Sequence, residues 1–184
     1  MSANRRNKSQ KVALCGMVGA LACACMVLGG FIPLATFVTP AIAGMLVLVA
    51  AIELGYRTGY LLYGVIGLLS LFLSPDKELS CIFLFFLGYY PLLKSQLDSI
   101  KHTVLRWLVK LGLFNVSIVA MYALLIFIFP LPELVADFSE TGVPLLAGLG
   151  LAANLTFCIY DLAITKIVWI YLHKYRPRIL KGKQ

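Results

Sequence analysis

Residues 12–32 read VALCGMVGALACACMVLGGFI, and this run carries no charged side chain. The segment before it, residues 5–11, reads RRNKSQK and holds four basic residues. A helix that crosses a bilayer needs about 20 predominantly apolar residues. The run therefore predicts a membrane-spanning helix with a strongly basic end, and the rest of the chain repeats this pattern.

The composition agrees with a membrane protein. The chain has 184 residues, of which 61% are hydrophobic and 13% are charged, whereas soluble domains carry about 25% charged residues. We predict an all-α polytopic integral membrane protein with six transmembrane helices in one bundle. The whole chain, 1–184, would form a single transmembrane domain with basic cytoplasmic tails at 1–10 and 173–184. The spans are expected at residues 11–32, 34–53, 59–74, 79–94, 105–129 and 143–172.

The basic residues are sorted to one side of this threading. Short cytoplasmic loops of membrane proteins carry an excess of Lys and Arg. Of the sixteen basic residues, only Lys77 falls in an outer loop. The cytoplasmic set is Arg5, Arg6, Lys8, Lys11, Arg57, Lys94, Lys101, Arg106, Lys110, Lys166, Lys174, Arg176, Arg178, Lys181 and Lys183. We therefore expect a multi-pass protein of the cell membrane with both termini in the cytoplasm. The net charge of +8 then reflects topology and contact with the lipid bilayer, not a nucleic-acid partner.

Glycine and proline mark the expected turns. Gly55 is predicted to break the inner connection between the second and third spans. Pro91 lies inside the fourth span and predicts a bend there, because proline frees a carbonyl one turn earlier. Tyr89 or Tyr90 is a candidate donor to that carbonyl.

Catalytic signatures do not occur in the sequence. It has no HExxH, GxSxG, P-loop or GxGxxG motif. The five cysteines lie in apolar runs without CxxC spacing, which is typical of buried thiols and not of a metal site. We predict a protein that is not an enzyme and that uses no cofactor and no metal.

Small residues form a stripe along the first span. Ala13, Gly16, Ala20 and Ala24 recur at spacings of three and four, which places them on one helix face. Small residues let the backbones of two membrane helices approach closely. The stripe is therefore either a packing face inside this protein's own bundle or a docking face for another membrane subunit.

Polar residues at membrane depth are the candidates for solute binding. Asn115 and Asn154 lie near mid-membrane in the last two spans, where two amides either bond each other across helices or contact a polar solute. Farther toward the outer side are four more candidate substrate-binding residues, namely Tyr122, Thr36, Phe37 and Thr39. Aromatic residues at these depths also serve as interface anchors.

Ionisable residues inside the spans are few, as expected from their cost in the bilayer. Asp161 lies in the inner half of the sixth span, and Lys94 lies at the inner end of the fourth. We predict a structural ion pair between them on the cytoplasmic side. A role in transport or energy coupling is the alternative.

Taken together, the size, the six spans, the cytoplasmic termini and the stripe at Ala13, Gly16, Ala20 and Ala24 resemble the substrate-binding S component of energy-coupling factor (ECF) vitamin transporters. The stretches GYRTG at 55–59 and GVIGLLS at 64–70 are similar to the second and third spans of such proteins. The resemblance implies a vitamin-like small solute bound in the outer half, lined by the first outer turn and spans four to six. It also implies docking through an AxxxA-type face onto a transmembrane coupling subunit, with a pair of ATPases supplying the energy.

Two functional hypotheses result. The first is a substrate-binding subunit of an ECF-type importer, dependent on partner ATPases. The second is a ligand-free membrane scaffold or assembly protein. The sequence names neither a solute nor an oligomeric state.

Overall fold

A computed structural model describes residues 2–32, 35–128 and 143–175. Within these residues every regular element is a helix, which confirms the all-α part of the predicted fold class. Most of the expected outer connection between the fifth and sixth spans, and the tail beyond 175, lie outside the described residues. The α-helices are α1 (Ser2–Gly29), α2 (Val38–Leu54), α3 (Tyr56–Leu73), α4 (Lys77–Ile82), α5 (Tyr90–Leu97), α6 (Thr103–Ile128) and α7 (Val143–Ile170). Two π-helical segments, Phe83–Leu87 and Tyr171–Tyr175, follow α4 and α7.

Within the described ranges, four helical stretches are long and apolar enough to cross a bilayer. They are Lys11–Gly29, Tyr56–Leu73, Thr103–Phe127 and Ala147–Lys174. Large apolar side chains such as Leu61, Leu68 and Phe72 on α3 are exposed, as expected of a surface that faces lipid and not water. This is the pattern of a membrane-spanning protein. Helix α2 is apolar but has 17 residues, and the fourth predicted span is built of short pieces, so the count of six stays a prediction.

The chain divides into two compact units, Met1–Leu131 and Pro132–Gln184, and each is described by itself. In the first unit α1 lies against α2 and α3. The position of a Cβ on Gly19 would be 2.9 Å from Leu62, and one on Gly30 would be 2.5 Å from the Ser74 hydroxyl. Because Gly19 meets the first half of α3 and Gly30 meets its end, α1 and α3 run parallel.

A single residue, Gly55, separates α2 from α3. Gly55 adopts φ of +100°, a conformation that costs glycine little and other residues much. Its N–H donates to the Ala51 carbonyl at 2.9 Å, while its own carbonyl accepts from the Gly59 N–H at 3.1 Å. A Cβ on Gly59 would stand 2.5 Å from that of Ala51. The helix break predicted at Gly55 is therefore present, and α3 packs closely on α2 beside it.

The fourth helical region is interrupted before Pro91 and not at it. The Gly88 N–H, which in a regular α-helix would bond the Leu84 carbonyl, donates to the Phe83 carbonyl at 2.8 Å. The Tyr63 hydroxyl of α3 donates to the Leu84 carbonyl at 2.5 Å instead. Pro91 stands in the first turn of α5, where a proline loses no helical hydrogen bond. The predicted interruption near Pro91 is present but falls just before it, at residues 88–89, and the bonding of a freed carbonyl by Tyr89 or Tyr90 stays a prediction.

The core of the first unit lies between α1, α2, α3, the fourth helical region and α6. Its largest fully buried side chains are Met26, Val47, Ile66, Leu79, Phe83, Tyr90, Leu92, Met121 and Leu125. Aromatic rings join its centre, with Phe86 stacked on Tyr90 at 4.8 Å and edge-on to Phe114 at 5.0 Å. Such ring pairs add to the packing that holds membrane helices together.

The second unit consists of α7 and the π-helical segment after it. Its hydroxyl side chains bond their own helix, Thr156 to the Ala152 carbonyl at 2.9 Å and Thr165 to the Asp161 carbonyl at 3.1 Å. Such bonds satisfy a hydroxyl inside an apolar helix. At the end of the unit the His173 ring stacks on Trp169 with centroids 4.8 Å apart.

Candidate functional site

Two carboxylates at the start of α4 bring together two of the predicted substrate-binding residues. The Thr36 hydroxyl donates to Asp76 Oδ2 at 3.2 Å. The Tyr122 hydroxyl donates to Glu78 Oε1 at 2.9 Å. The first outer turn and α6 therefore meet at the same short acidic stretch. We call Thr36, Asp76, Glu78 and Tyr122 the outer cluster.

Local chemistry explains why the carboxylates stand there. Asp76 is the N-cap of α4, and its Oδ1 accepts from the Leu79 N–H at 3.1 Å, which satisfies one of the free donors at a helix start. Lys77 turns away from the carboxylates, because its Nζ donates to the Leu71 and Ser74 carbonyls, each at 2.9 Å. It thereby caps free carbonyls at the C-terminal end of α3.

The outer cluster is negatively charged and surrounded by neutral donors. Within the described part of the chain, neither Asp76 nor Glu78 lies within ion-pair distance of a basic side chain. Below the cluster, Cys81, Ile82, Met121 and Leu125 form an apolar base. The arrangement can accept hydrogen bonds from a solute that carries hydroxyl or amino groups, and it favours positive charge over negative.

The other two outer candidates take no part in these hydrogen bonds. Phe37 is exposed. The Thr39 hydroxyl donates to the Ala35 carbonyl at 2.9 Å, and its side chain packs against Gly29, where a Cβ would overlap the hydroxyl. Thr39 therefore fixes the turn between α1 and α2, and this contact accounts for its position.

The two mid-membrane amides each bond their own helix. Asn115 Nδ2 donates to the Leu111 carbonyl and Asn154 Nδ2 to the Gly150 carbonyl, both at 2.8 Å. Asn115 is exposed on α6, and Asn154 is half-buried on α7. Their bonding to each other or to a solute stays a prediction.

Two buried lysines share one exposed carboxylate, Asp98, at the end of the first unit that the charge pattern predicts to be cytoplasmic. Lys94 Nζ is 3.5 Å from Asp98 Oδ2, and Lys110 Nζ is 2.6 Å from Asp98 Oδ1. Lys110, which is 2% exposed, also stands 5.5 Å from the centre of the Trp107 ring. Sequence reasoning did not single out Asp98 or Lys110, although the four-residue spacing of Lys94 and Asp98 is a readable signal. Asp161 is buried in the second unit, and its pairing with Lys94 stays a prediction.

The small-residue stripe of α1 is open and not packed inside the first unit. The face that the first unit buries carries Ala22 and Met26, both 0% exposed. Gly16, Ala20 and Ala24 are exposed and line a groove of about 1080 Å³ between α1 and α3. Ala13 is also exposed but does not line this groove. A Cβ on Gly16 would find no atom within 4 Å.

Among the described residues no three His, Cys, Asp or Glu side chains group as metal ligands would. Compared with protein-family models, with curated proteins and with solved structures, the chain gives no match. The geometry of the outer cluster and of the α1 groove is therefore the basis for a functional conclusion.

Proposed function

We propose that this chain is the substrate-binding membrane subunit of an ECF-type importer for a vitamin-like or other small solute. The observation that carries the proposal is the exposed small-residue face of α1. A helix that only completes its own bundle would bury such a face, whereas here Gly16, Ala20 and Ala24 line an open groove.

An open face of this kind suits a second membrane protein. Lipid tails are as apolar as leucine, so helices in a bilayer associate through close van der Waals contact and not through a hydrophobic drive. Glycine and alanine permit that contact. The partner in this proposal is a transmembrane coupling subunit, which joins the chain to a pair of ATPases.

The outer cluster supplies the solute-facing half of the proposal. Thr36 and Tyr122 reach it from the first outer turn and from α6, which are two of the elements that the ECF resemblance assigns to solute binding. Their hydroxyls bond carboxylates, so a solute with amino or hydroxyl groups can exchange places with them. Asn115 and Asn154 remain candidates deeper in the membrane.

Co-purification tests the partner half. Tagged wild-type protein extracted gently from its native membrane should bring down a coupling membrane protein and two ATPases. Gly16→Leu should lower that recovery at least tenfold, because the leucine fills the groove. Gly112→Leu is the matched control, since Gly112 is also a helical glycine with no atom near its Cβ position and lies on α6, away from the groove. Failure of wild-type protein to recover such partners would contradict the proposal.

Native mass spectrometry tests the solute half. The gently extracted protein should retain a small molecule of constant mass. Tyr122→Phe and Thr36→Val should reduce the retained fraction, because each removes a hydroxyl from the outer cluster. Tyr60→Phe provides a control, because Tyr60 is an exposed tyrosine on α3 outside the cluster.

The alternative, a ligand-free scaffold, shares the open face of α1 but requires no solute. It predicts that Asn115→Leu, Asn154→Leu and Tyr122→Phe leave function intact in cells. Loss of uptake in a variant that still folds and still recovers its partners would reject the scaffold.

A further inference from the structure

The groove between α1 and α3 is polar at one end and apolar along the rest of its length. Seventeen residues line it, and fifteen of them are Gly, Ala, Val, Leu, Ile or Cys. The two exceptions are Lys11 and Thr58. Lys11 begins the apolar stretch of α1, and Thr58 lies in the first turn of α3. Because α1 and α3 run parallel, both polar groups stand at the same end of the groove. The opposite end, near Leu28 and Leu69, is wholly apolar.

The polar end of the groove carries the positive charge of Lys11. Lys11 is exposed, and within the part of the chain that the structure describes no carboxylate lies within ion-pair distance of it. Arg57, one residue before Thr58, is exposed at the same end of α3. With the N-terminus in the cytoplasm, as the charge pattern predicts, this end lies at the level of the inner headgroups.

The depth of the groove suits a chain of methylene groups. Gly16 and Ala20 leave room along α1, while Gly19 approaches Leu62 and forms the floor. The stretch from Lys11 to Leu28 rises about 25 Å at 1.5 Å per residue, which is most of the thickness of a bilayer's hydrocarbon core. An acyl chain that entered from the inner leaflet would therefore meet apolar side chains along its whole length.

We propose that this groove binds an anionic phospholipid of the inner leaflet, with its phosphate at Lys11 and one acyl chain along Gly16 and Ala20. Headgroup phosphate is the anion present at this depth in the membrane. Lipid binding does not depend on the proposed transport function, since the lipid occupies the groove when no protein partner covers it.

Lipid titration followed by native mass spectrometry tests the proposal. The delipidated full-length protein is mixed with phosphatidylglycerol or phosphatidylcholine of identical acyl chains. One phosphatidylglycerol should bind in preference to phosphatidylcholine, and Lys11→Gln should lower that preference about fivefold, as expected for about 1 kcal/mol per basic residue near an anionic surface. Lys101→Gln is the control, because Lys101 is an exposed cation of the inner side that does not line the groove.

Filling the groove tests the acyl-chain part. Gly16→Leu should reduce the bound fraction of both lipids, whereas Gly112→Leu should not. If Gly16→Leu does not yield folded protein, the comparison of Lys11→Gln with Lys101→Gln decides. Equal binding of the two lipids to wild-type protein, or equal losses from Lys11→Gln and Lys101→Gln, would overturn the proposal. The proposal would also be overturned if the wild-type protein carried a bound polypeptide that Gly16→Leu releases while lipid binding stays unchanged.

This experiment uses the isolated protein, whereas the test of the proposed function uses recovery of partners from the native membrane. A protein that binds phosphatidylglycerol at the groove but recovers no partner would contradict the importer proposal alone. A protein that recovers its partners but shows no preference for the anionic lipid would contradict the lipid proposal alone.

Discussion

Replacing Tyr63 with phenylalanine should destabilise the protein through a single hydrogen bond. The Tyr63 hydroxyl donates to the Leu84 carbonyl, the group that the π-helical segment deprives of the Gly88 N–H. Phenylalanine keeps the ring, which lies 5.8 Å from Phe83 and 6.2 Å from Tyr89 between centroids, so the packing should survive.

The expected magnitude follows from two contributions. A side-chain hydrogen bond between membrane helices contributes about 0.6 kcal/mol on average and about 1.7 at most. A buried carbonyl left without a partner costs about 1–3 kcal/mol. We therefore expect Tyr63→Phe to lower the free energy of unfolding by about 1–2 kcal/mol, measured by reversible unfolding in mixed micelles of mild and denaturing detergent.

Tyr60→Phe is the matched control on the same helix. Tyr60 is exposed, and its hydroxyl makes no hydrogen bond within the described residues. Its replacement should leave the free energy of unfolding nearly unchanged. If the two variants lose the same stability, the Leu84 carbonyl has another partner or the π-helical segment rearranges freely, and the reasoning is refuted.

Three further predictions concern packing, charge and orientation. Gly59→Ala should lower the free energy of unfolding by about 1–3 kcal/mol, because the new Cβ would overlap Ala51 on α2. Gly64→Ala, with open space around it, should raise the free energy of unfolding by about 0.5–1 kcal/mol. Equal effects of the two variants would show that the contact between Gly59 and Ala51 is loose. Asp98→Asn should lower the free energy of unfolding by about 1 kcal/mol in the same assay, because it removes the carboxylate 2.6 Å from the buried Lys110 ammonium. The loss is limited because the Asp98 side chain is partly exposed. An unchanged free energy of unfolding would mean that the pair contributes nothing. A reporter fused within 130–141 should lie outside the cell and one fused after 175 inside it, and the reverse result would contradict the orientation.

The sequence predicted the long helices because their signal is local. The uncharged run that begins at Val12 suffices to place α1, and α3, α6 and α7 also lie where hydropathy expects them. Gly55 ends α2 through its own conformation, which a sequence also reveals. Each of these features depends on residues that are adjacent or nearly adjacent in the chain.

The interruption of the fourth helical region could not be predicted in the same way. Residues 83–87 read FLFFL, which is apolar at every position and so gives no period to read. What fixes the π-helical segment is the approach of Tyr63 and the lack of a Cβ on Gly88, where such an atom would be 2.7 Å from both the Tyr63 ring and the Phe83 carbonyl. These contacts are tertiary, so no local pattern of the sequence reveals them.

In the candidate site, too, the positions of residues along the helices could be predicted but their long-range contacts could not. The depths of Thr36 and Tyr122 could be estimated from their spans, but their partners lie 40 and 44 residues away in sequence. Asn115 donates to a carbonyl four residues earlier, an acceptor that requires no long-range contact, while its contact with another helix or a solute stays a prediction. A short polar side chain inside a helix always has that local option.

The π-helical segment has one consequence for how the length of this protein can change. A π-helical turn holds one residue more than the α-helical turn it replaces. Deleting a residue within a regular helix rotates everything after it by about 100°, which would ruin the packing of α5. Deleting one residue of FLFFL would instead restore an ordinary helix and leave α4 and α5 on their present neighbours. A scan of single-residue deletions should therefore find its most tolerant position in this segment, and homologues one residue shorter should carry their gap there.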